Sequence, residues 1–309
     1  MEISVTSGPL FGRYDAETAS KMIADAGFKK FDWSLDKYWS RPRAWKGDFD
    51  ENGLYHKSVD EIIAFLQTEY DIFAKNGLKT EMAHAPFPLL VSNRPCVAEY
   101  TFEVMKKVIK VCSHFGVKYL VVHCDRLYYW EKVKTQADID ADNHAYLTGL
   151  IPYLKGSGVT ICLENLFKLS KEKIGATAGV FCDGDATKKY VEELNELAGE
   201  EVFGVCYDSG HMILVGEMLS RYPRVLGKHI KCLHLHDNDA INDRHVLPMT
   251  GAGDWFDLIK GLKDGGYEGD INFEYMHQFD EDRLPGELIP SFLKATADIG
   301  NYICKELKK

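Results

Sequence analysis

Short apolar runs alternate with longer amphipathic stretches from one end of the chain to the other. The short runs, rich in β-branched, aromatic and aliphatic residues, predict strands over residues 3–7, 30–33, 80–84, 119–123, 160–164, 203–208, 232–236 and 271–274. Between them apolar positions recur at helical spacing, predicting helices near 15–26, 58–76, 96–115, 138–155, 185–198, 211–220, 254–264 and 287–307. Glycines precede several strands, at AGF 26–28, NGL 76–78, FGV 115–117, GSGV 156–159 and GGY 265–267, and suit helix C-caps. Repeated strand–helix units without a linker, repeat or composition break predict the α/β class: a single (β/α)8 TIM barrel, one domain over residues 1–309.

The polar positions are less evenly spread. His84, His123, Glu164, Asp208, His236 and Glu274 each close one of six consecutive strand patterns, where a barrel strand delivers its last side chain to the mouth. Alternation agrees: Thr160, Cys162 and Glu164 share one face, and Cys232, His234 and His236 share another, opposite Leu233 and Leu235. The stretch 232–245, CLHLHDNDAINDRH, is the densest in His and Asp, and everything around it can be read as supplying partners to it. His211 follows Asp208 by three, on the first turn of a helix, while Asp243 and His245 sit on the loop after strand seven. A lone His at a strand end is usually a hydrogen-bonded structural residue, and a lone Glu is usually half of a salt bridge. Six in succession are another matter, because burying so many ionisable groups together is costly without compensation. A divalent cation compensates them, holding carboxylates ionised and imidazoles neutral. The expected ligands are Glu164, Asp208, His236 and Glu274, an oxygen-rich set suited to Mn²⁺, Mg²⁺ or Co²⁺ and tolerant of Zn²⁺. His84, His123, His211, Asp243 and His245 form a second ring, for further metals or for substrate hydroxyls and proton positioning.

Composition narrows the partners. The net charge of −10 and the lack of a long basic run argue against a nucleic-acid surface, which needs clustered Lys and Arg. The N-terminal MEISVTSGPL has no charged segment leading into an apolar core, and no 18-residue apolar stretch occurs, so neither a signal peptide nor a membrane span is expected. Eight cysteines stand singly with no Cys-x-x-Cys, which suits a reduced, cytoplasmic protein. The irregular stretches 34–57, 124–137 and 165–184 all follow strands and belong on the catalytic rim. The first two carry Tyr38, Trp39, Trp45, Phe49 and Tyr55, then Tyr128, Tyr129 and Trp130. Those aromatics suit stacking on a sugar or closing a lid; equally they suit a small core of their own or a second subunit in a homo-oligomer. Gly251 and Gly253, in TGAGDW, lack the Lys-Ser/Thr of a phosphate loop and the strand–helix setting of a dinucleotide fingerprint, and Asp254 reads as a helix N-cap.

MAHAPF (82–87), LVVHCD (120–125), ICLEN (161–165), YDSGH (207–211), LHLHDND (233–239), NDRHVLPMTGAGDW (242–255) and INFEY (271–275) together resemble the xylose isomerase-like TIM-barrel superfamily. That superfamily holds sugar isomerases and epimerases together with endonuclease IV-type AP endonucleases. In its ketose 3-epimerase branch one metal is held by a Glu, an Asp, a His and a Glu, which fall here on Glu164, Asp208, His236 and Glu274. The two glutamates there also serve as acid and base. In the nuclease branch three zinc ions take nine ligands, which look like His84, His123, Glu164, Asp208, His211, His236, Asp243, His245 and Glu274. Two features count against the nuclease: His236 is followed by Asp237-Asn238-Asp239 rather than Asn-Asp-Ser, and the acidic chain makes a poor DNA surface. The resemblance therefore implies a divalent-metal-dependent sugar isomerase or epimerase that abstracts a proton next to a carbonyl, with a carbohydrate as partner. The alternatives are an endonuclease IV-like zinc phosphodiesterase on abasic DNA, or a relative such as an inosose dehydratase-like lyase or a hydroxypyruvate isomerase. His211 would then hydrogen-bond a substrate oxygen. Arg244 would bind a substrate hydroxyl, carboxylate or phosphate, unless it is held in a salt bridge to a neighbouring Asp.

Overall fold

A computed structural model describes residues 1–91, 94–125, 134–169, 175–276, 278–280 and 282–309. Its frame is a ring of parallel strands: β1 (Ile3–Thr6), β2 (Lys30–Ser34), β3 (Lys79–His84), β4 (Tyr119–Val122), β5 (Thr160–Glu164), β6 (Phe203–Asp208), β7 (Ile230–His234) and β8 (Ile271–Phe273). Neighbours along the chain are neighbours in the sheet, and β8 pairs back onto β1. The gap between β7 and β8 is closed around Leu235, whose N–H donates to Asn272 O at 3.0 Å and whose carbonyl accepts from Glu274 N at 3.1 Å. Helices follow the strands, and the fold is a (β/α)8 TIM barrel.

The local sequence explains each helix. Pro95–Phe115 opens with proline at its start and closes on Gly116 at φ 73°. Its Val97, Thr101, Val104, Met105, Val108 and Cys112 recur at helical spacing and are buried toward the sheet. Ser58 and Glu61 form a reciprocal capping box, as do Thr135 and Asp138. The helix expected over 211–220 is instead two, Ser209–Val215 and Arg221–Leu226, because Gly216 takes a left-handed φ of 77° and ends the first.

The rim loops are more structured than their sequence suggests. Residues Phe167–Leu169 and Ala176–Ala178 pair as a short antiparallel hairpin inside the stretch read as irregular. The 34–57 loop folds onto itself: Trp39 packs against Phe49, Tyr55 and Tyr100, and Phe49 stacks on Tyr100 at 4.0 Å. Trp39, Phe49 and Tyr55 thus pack as a small cluster with Tyr100 of the helix Pro95–Phe115. The second aromatic group, Tyr128, Tyr129 and Trp130, lies outside the described residues. Among the described residues no helix is long and apolar enough to cross a membrane, and the eight cysteines are free.

Candidate metal centre

Inside the barrel the inward positions stack in layers. Met82, Val121, Cys162, Cys206 and Cys232 fill the middle, and the next inward residue on each of the last three strands is Glu164, Asp208 or His234. Asp208 and His234 are directly paired in the register of β6 and β7, so both arrive at the mouth together. Glu164, Asp208, His234 and Glu274 are buried, and one ligand atom from each lies within 4.8 Å of the others. His234 is the member that counting strand ends overlooks. Its Nδ1 stands 3.3 Å from Glu164 and 3.5 Å from Glu274, while Nε2 stands 3.3 Å from the fully buried Asp32. The signal was present in the alternation of Cys232, His234 and His236; the register of two strands decides which imidazole lies deepest.

His236 lies beyond the last rung of β7 and reaches Asp208 Oδ2 at 3.1 Å. Its ring rests against the backbone of Gly210, where a Cβ would fall 1.9 Å from the imidazole, so only glycine fits. It also stacks on His245 at 3.8 Å, and both group with Glu274. Asp208 Oδ1 meanwhile accepts the His211 N–H at 2.6 Å, capping the helix Ser209–Val215 with a charge that its N-terminus favours.

Two further clusters flank this one. His84 Nε2 lies 3.2 Å from His123 Nε2, and His123 Nε2 lies 3.0 Å from Glu164. His84 Nδ1 is 2.8 Å from the Ala85 carbonyl, which fixes a proton there and leaves Nε2 as the ligand atom. On the other side Asp243 Oδ2 stands 3.2 Å from His245 Nε2 and 3.7 Å from His211 Nε2. His211 Nδ1 is turned to the Asn165 carbonyl at 2.8 Å, the same second-shell device. All the expected candidates except Arg244 converge on this mouth. Arg244 points away and pairs with Asp239 at 2.5 Å, on the exposed outer side of its loop.

The loop carrying Asp243 and His245 is held by its own polar residues. Asn238 Oδ1 accepts from Arg244 N at 2.6 Å and from His245 N at 3.3 Å, and His245 takes a left-handed φ of 50°. The glycines of TGAGDW bind an internal anion: buried Asp237 accepts Gly251 N at 2.9 Å, Gly253 N at 3.0 Å and Trp255 Nε1 at 2.6 Å. Asp254 caps the helix Trp255–Asp264 as its position predicts.

In the electrostatics of the site, carboxylates and imidazoles stabilise one another's charged forms. Burial pushes the Glu164 carboxyl up, yet His123 and His234 outweigh it and hold the group well below the usual carboxylate range. Asp208, despite burial, is lowered by His211 and His236, and Asp243 is held well down by His245 and His211. The imidazoles move the other way. Burial opposes charge on His211, but Asp208 and Asp243 raise it to about 10; Asp243 raises His245 to about 9 against the same opposition. Buried His234 Nδ1 and Nε2, His236 Nδ1, Asp243 Oδ1 and Asp32 Oδ1 lack a hydrogen-bond partner. Unsatisfied ligand atoms converging on one cavity fit a divalent ion. The cavity has a volume of about 340 Å³ and opens between His84, His123, Glu164, His211, Asp243, His245 and Glu274 and, on the β1–β2 side, Thr6, Ser34, Asp36 and Arg41.

The family model described as Xylose isomerase-like TIM barrel matches residues 22–294. The chain belongs to this family. Relatives of this xylose isomerase-like chain include the uncharacterized protein y4fM of Sinorhizobium fredii, 26% identical over 267 residues, covering 82% of this chain and 78% of that one. Among solved structures, D-psicose 3-epimerase with D-tagatose from Clostridium cellulolyticum H10 superposes with a TM-score of 0.70 at 14% identity, covering 98% of this chain and 99% of that one. D-allulose 3-epimerase from Methylomonas sp. in complex with D-allulose gives 0.66 at 15%, covering 98% and 96%. At such identities the likeness is one of fold.

Proposed function

We propose that this barrel is a divalent-metal-dependent sugar isomerase or epimerase. The observation that carries the reading is the convergence of two buried glutamates, Glu164 from the end of β5 and Glu274 just after β8, on one imidazole at 3.3 and 3.5 Å. The 3-epimerases of like fold, whose structures hold D-tagatose and D-allulose, support a ketose-type substrate.

The residues that would hold the ion are Glu164, Asp208, His236 and Glu274, with His236 grouped with Asp208 on one side and Glu274 on the other. His234, tied to Asp32 at its other nitrogen, sets the position of both glutamates from below. When bound, a divalent ion would supply Lewis-acid chemistry to the substrate. Glu164 and Glu274 do the proton work: one takes the proton next to the carbonyl, and the other returns it to the opposite face or to the adjacent carbon. His211, its Nδ1 fixed by the Asn165 carbonyl, presents Nε2 to a substrate oxygen. Phe87, Leu166, Phe167 and Met276 line the same cavity and keep water from the reacting carbon.

Purified protein loaded with Mn²⁺ and incubated with a panel of ketoses in D₂O incorporates deuterium next to the carbonyl on this reading. A second reading draws on the two flanking clusters, which together with the central one supply ligand types for three ions, as an endonuclease IV-like phosphodiesterase requires. Cleavage of abasic-site DNA at physiological salt, with no exchange in any ketose, would reverse the order of the two.

A further inference from the structure

The imidazoles and carboxylates occupy the ends of β3 to β8; the β1–β2 side of the same cavity carries a different set. There Asp36, nine-tenths buried, and Arg41 face the pocket from the loop after β2. Arg41 lies with its guanidinium carbon 4.1 Å above the Phe87 ring, and Phe87 in turn packs at 4.5 Å on His123 and 5.3 Å on His84. The aromatic ring therefore joins this pair to the metal-type wall. Arg41 meets Asp36 through one nitrogen at 3.3 Å, a long contact that leaves most of the five guanidinium N–H groups for a ligand.

We infer that Asp36 and Arg41 form the subsite for the part of the substrate remote from the reacting carbon, and that it takes vicinal uncharged hydroxyls rather than a phosphate or carboxylate. This rests on the sugar-isomerase reading above. A carboxylate beside a guanidinium offers acceptors and donors side by side, the complement of neighbouring hydroxyls, each of which donates and accepts. The C–H face of the sugar lies along Phe87. An anionic terminus is disfavoured on charge: Arg41, the lining cation on the β1–β2 side, is already paired with Asp36, and on the reading above Glu164, Asp208 and Glu274 offset the charge of the ion. For Arg244 the sequence left open a substrate contact or a salt bridge to a neighbouring Asp, and the salt bridge, to Asp239, is what the structure holds; the arginine at the pocket is Arg41, from a loop without any motif.

The test is calorimetric titration of the Mn²⁺-loaded protein with free ketohexoses, with their terminal phosphates and with uronates, on the parent and on Asp36→Asn, Arg41→Met and Arg41→Lys, alongside deuterium exchange. The parent binds a free ketose at least tenfold more tightly than its phosphate. Arg41→Met weakens the free sugar about tenfold or more, the scale of a hydrogen bond to a charged group, and Arg41→Lys restores part of it. Asp36→Asn weakens the free sugar similarly and shifts preference toward the phosphate, because a freed guanidinium then faces the cavity. In turnover these changes appear mainly in KM, with kcat altered less than threefold. Tighter binding of the phosphate or uronate by the parent, abolished by Arg41→Met, would overturn the neutral-hydroxyl assignment. Binding unmoved by every variant, with ketose exchange intact, would remove the subsite and leave the chemistry standing. No exchange and no ketose binding in the metal-loaded parent would sink both.

Discussion

At the N-terminal end of the barrel Lys30 Nζ reaches Glu81 at 2.5 Å, Asp270 at 2.7 Å and Glu2 at 3.6 Å, and Lys118 meets Glu81 at 2.5 Å. At the C-terminal end Asp32, Glu164, Asp208, Asp243 and Glu274 meet imidazoles and, among the described residues, no Lys or Arg. A layer of apolar groups and thiols separates the two ends. Both ends gather acid; they differ in what neutralises it. A lysine carries its charge at any physiological pH, so the lower network is complete with the chain alone. An imidazole carries charge only while it holds a proton, and a divalent ion can take that proton's place. The lower end is thus neutralised by fixed charge, and the upper end by protons that a metal ion would replace on the reading proposed above.

The largest effect should come from the pair that separates chemistry from metal holding. Glu164→Gln and Glu274→Gln keep the size and one oxygen ligand but remove the base, and each should lower turnover by about 10²–10⁴-fold. Metal should still bind to both, more weakly, through Asp208, His236 and the remaining glutamate. Near-normal turnover by a metal-loaded Glu164→Gln protein would dismiss the two-glutamate mechanism without touching the barrel.

Metal removal comes next. An ion that binds only the folded state stabilises it by roughly 2.7 kcal/mol at a hundredfold excess over Kd, so EDTA should lower the melting temperature and Mn²⁺ or Zn²⁺ should restore it. Asp208→Asn and His236→Ala should lose metal and activity together. His234→Gln should weaken metal binding less than His236→Ala, because His234 positions the glutamates and is shared with Asp32. The reverse order, read by metal titration, would make His234 the ligand. A melting temperature indifferent to EDTA and to added metal would end the tight-metal reading.

At the other end, Lys30→Met leaves Glu81, Asp270 and Glu2 facing one another, with Lys118 beside Glu81 and the Met1 amine beside Asp270. The cluster is partly exposed, so the loss should fall between the surface and buried limits, about 1–3 kcal/mol by denaturant unfolding. Metal affinity should not change. A Lys30→Met protein that loses metal would mean the two ends are coupled through the thiol layer.

Much of this was legible in the chain because period and run length carry it. All eight barrel strands and the long helices lie where apolar spacing predicts them. What escaped did so for identifiable reasons. The hairpin strands FKL and ATA are three residues each, too short for any period to register. The break at Gly216 is a backbone conformation inside an otherwise continuous apolar pattern. His234 was passed over because the last residue of a run was taken as the inward one, whereas Asp208 and His234 are made level by register across two strands. Arg41 reaches the mouth only because its loop folds over Phe87, a contact between residues far apart in sequence.

The sharpest divider of the two ends is read in pH. Despite burial, the native pKa of His211 is raised to about 10 by Asp208 and Asp243, and that of His245 to about 9 by Asp243, from an ordinary 6.5. A group that holds its proton more tightly when folded gives its full stabilisation below its unfolded pKa and loses it as pH rises through the folded value. The metal-free protein should therefore lose stability steadily between about pH 6.5 and pH 10. Bound metal requires neutral rings, so in the loaded protein this slope should vanish up to about pH 8; above that the thiols of Cys112, Cys124, Cys162, Cys206 and Cys232, pushed up by burial, add a loss common to both forms. The lower network cannot imitate it. Lys118 and Lys30 lower Glu81 to about 2, so its contribution is complete above about pH 4.5 and is lost only on acidification. Lys30, although burial opposes its charge, is raised above 10.5 by Asp270 and Glu81, and its contribution begins to fade only beyond that value. Melting curves of the metal-free protein should thus slope downward from about pH 6.5, those of the Mn²⁺-loaded protein should stay level up to about pH 8, and Lys30→Met should lower both without changing either slope. A metal-free protein whose melting temperature is flat from pH 6.5 to pH 10 would show that protons on these imidazoles are not what holds the mouth together, and the distinction between the two ends would fall.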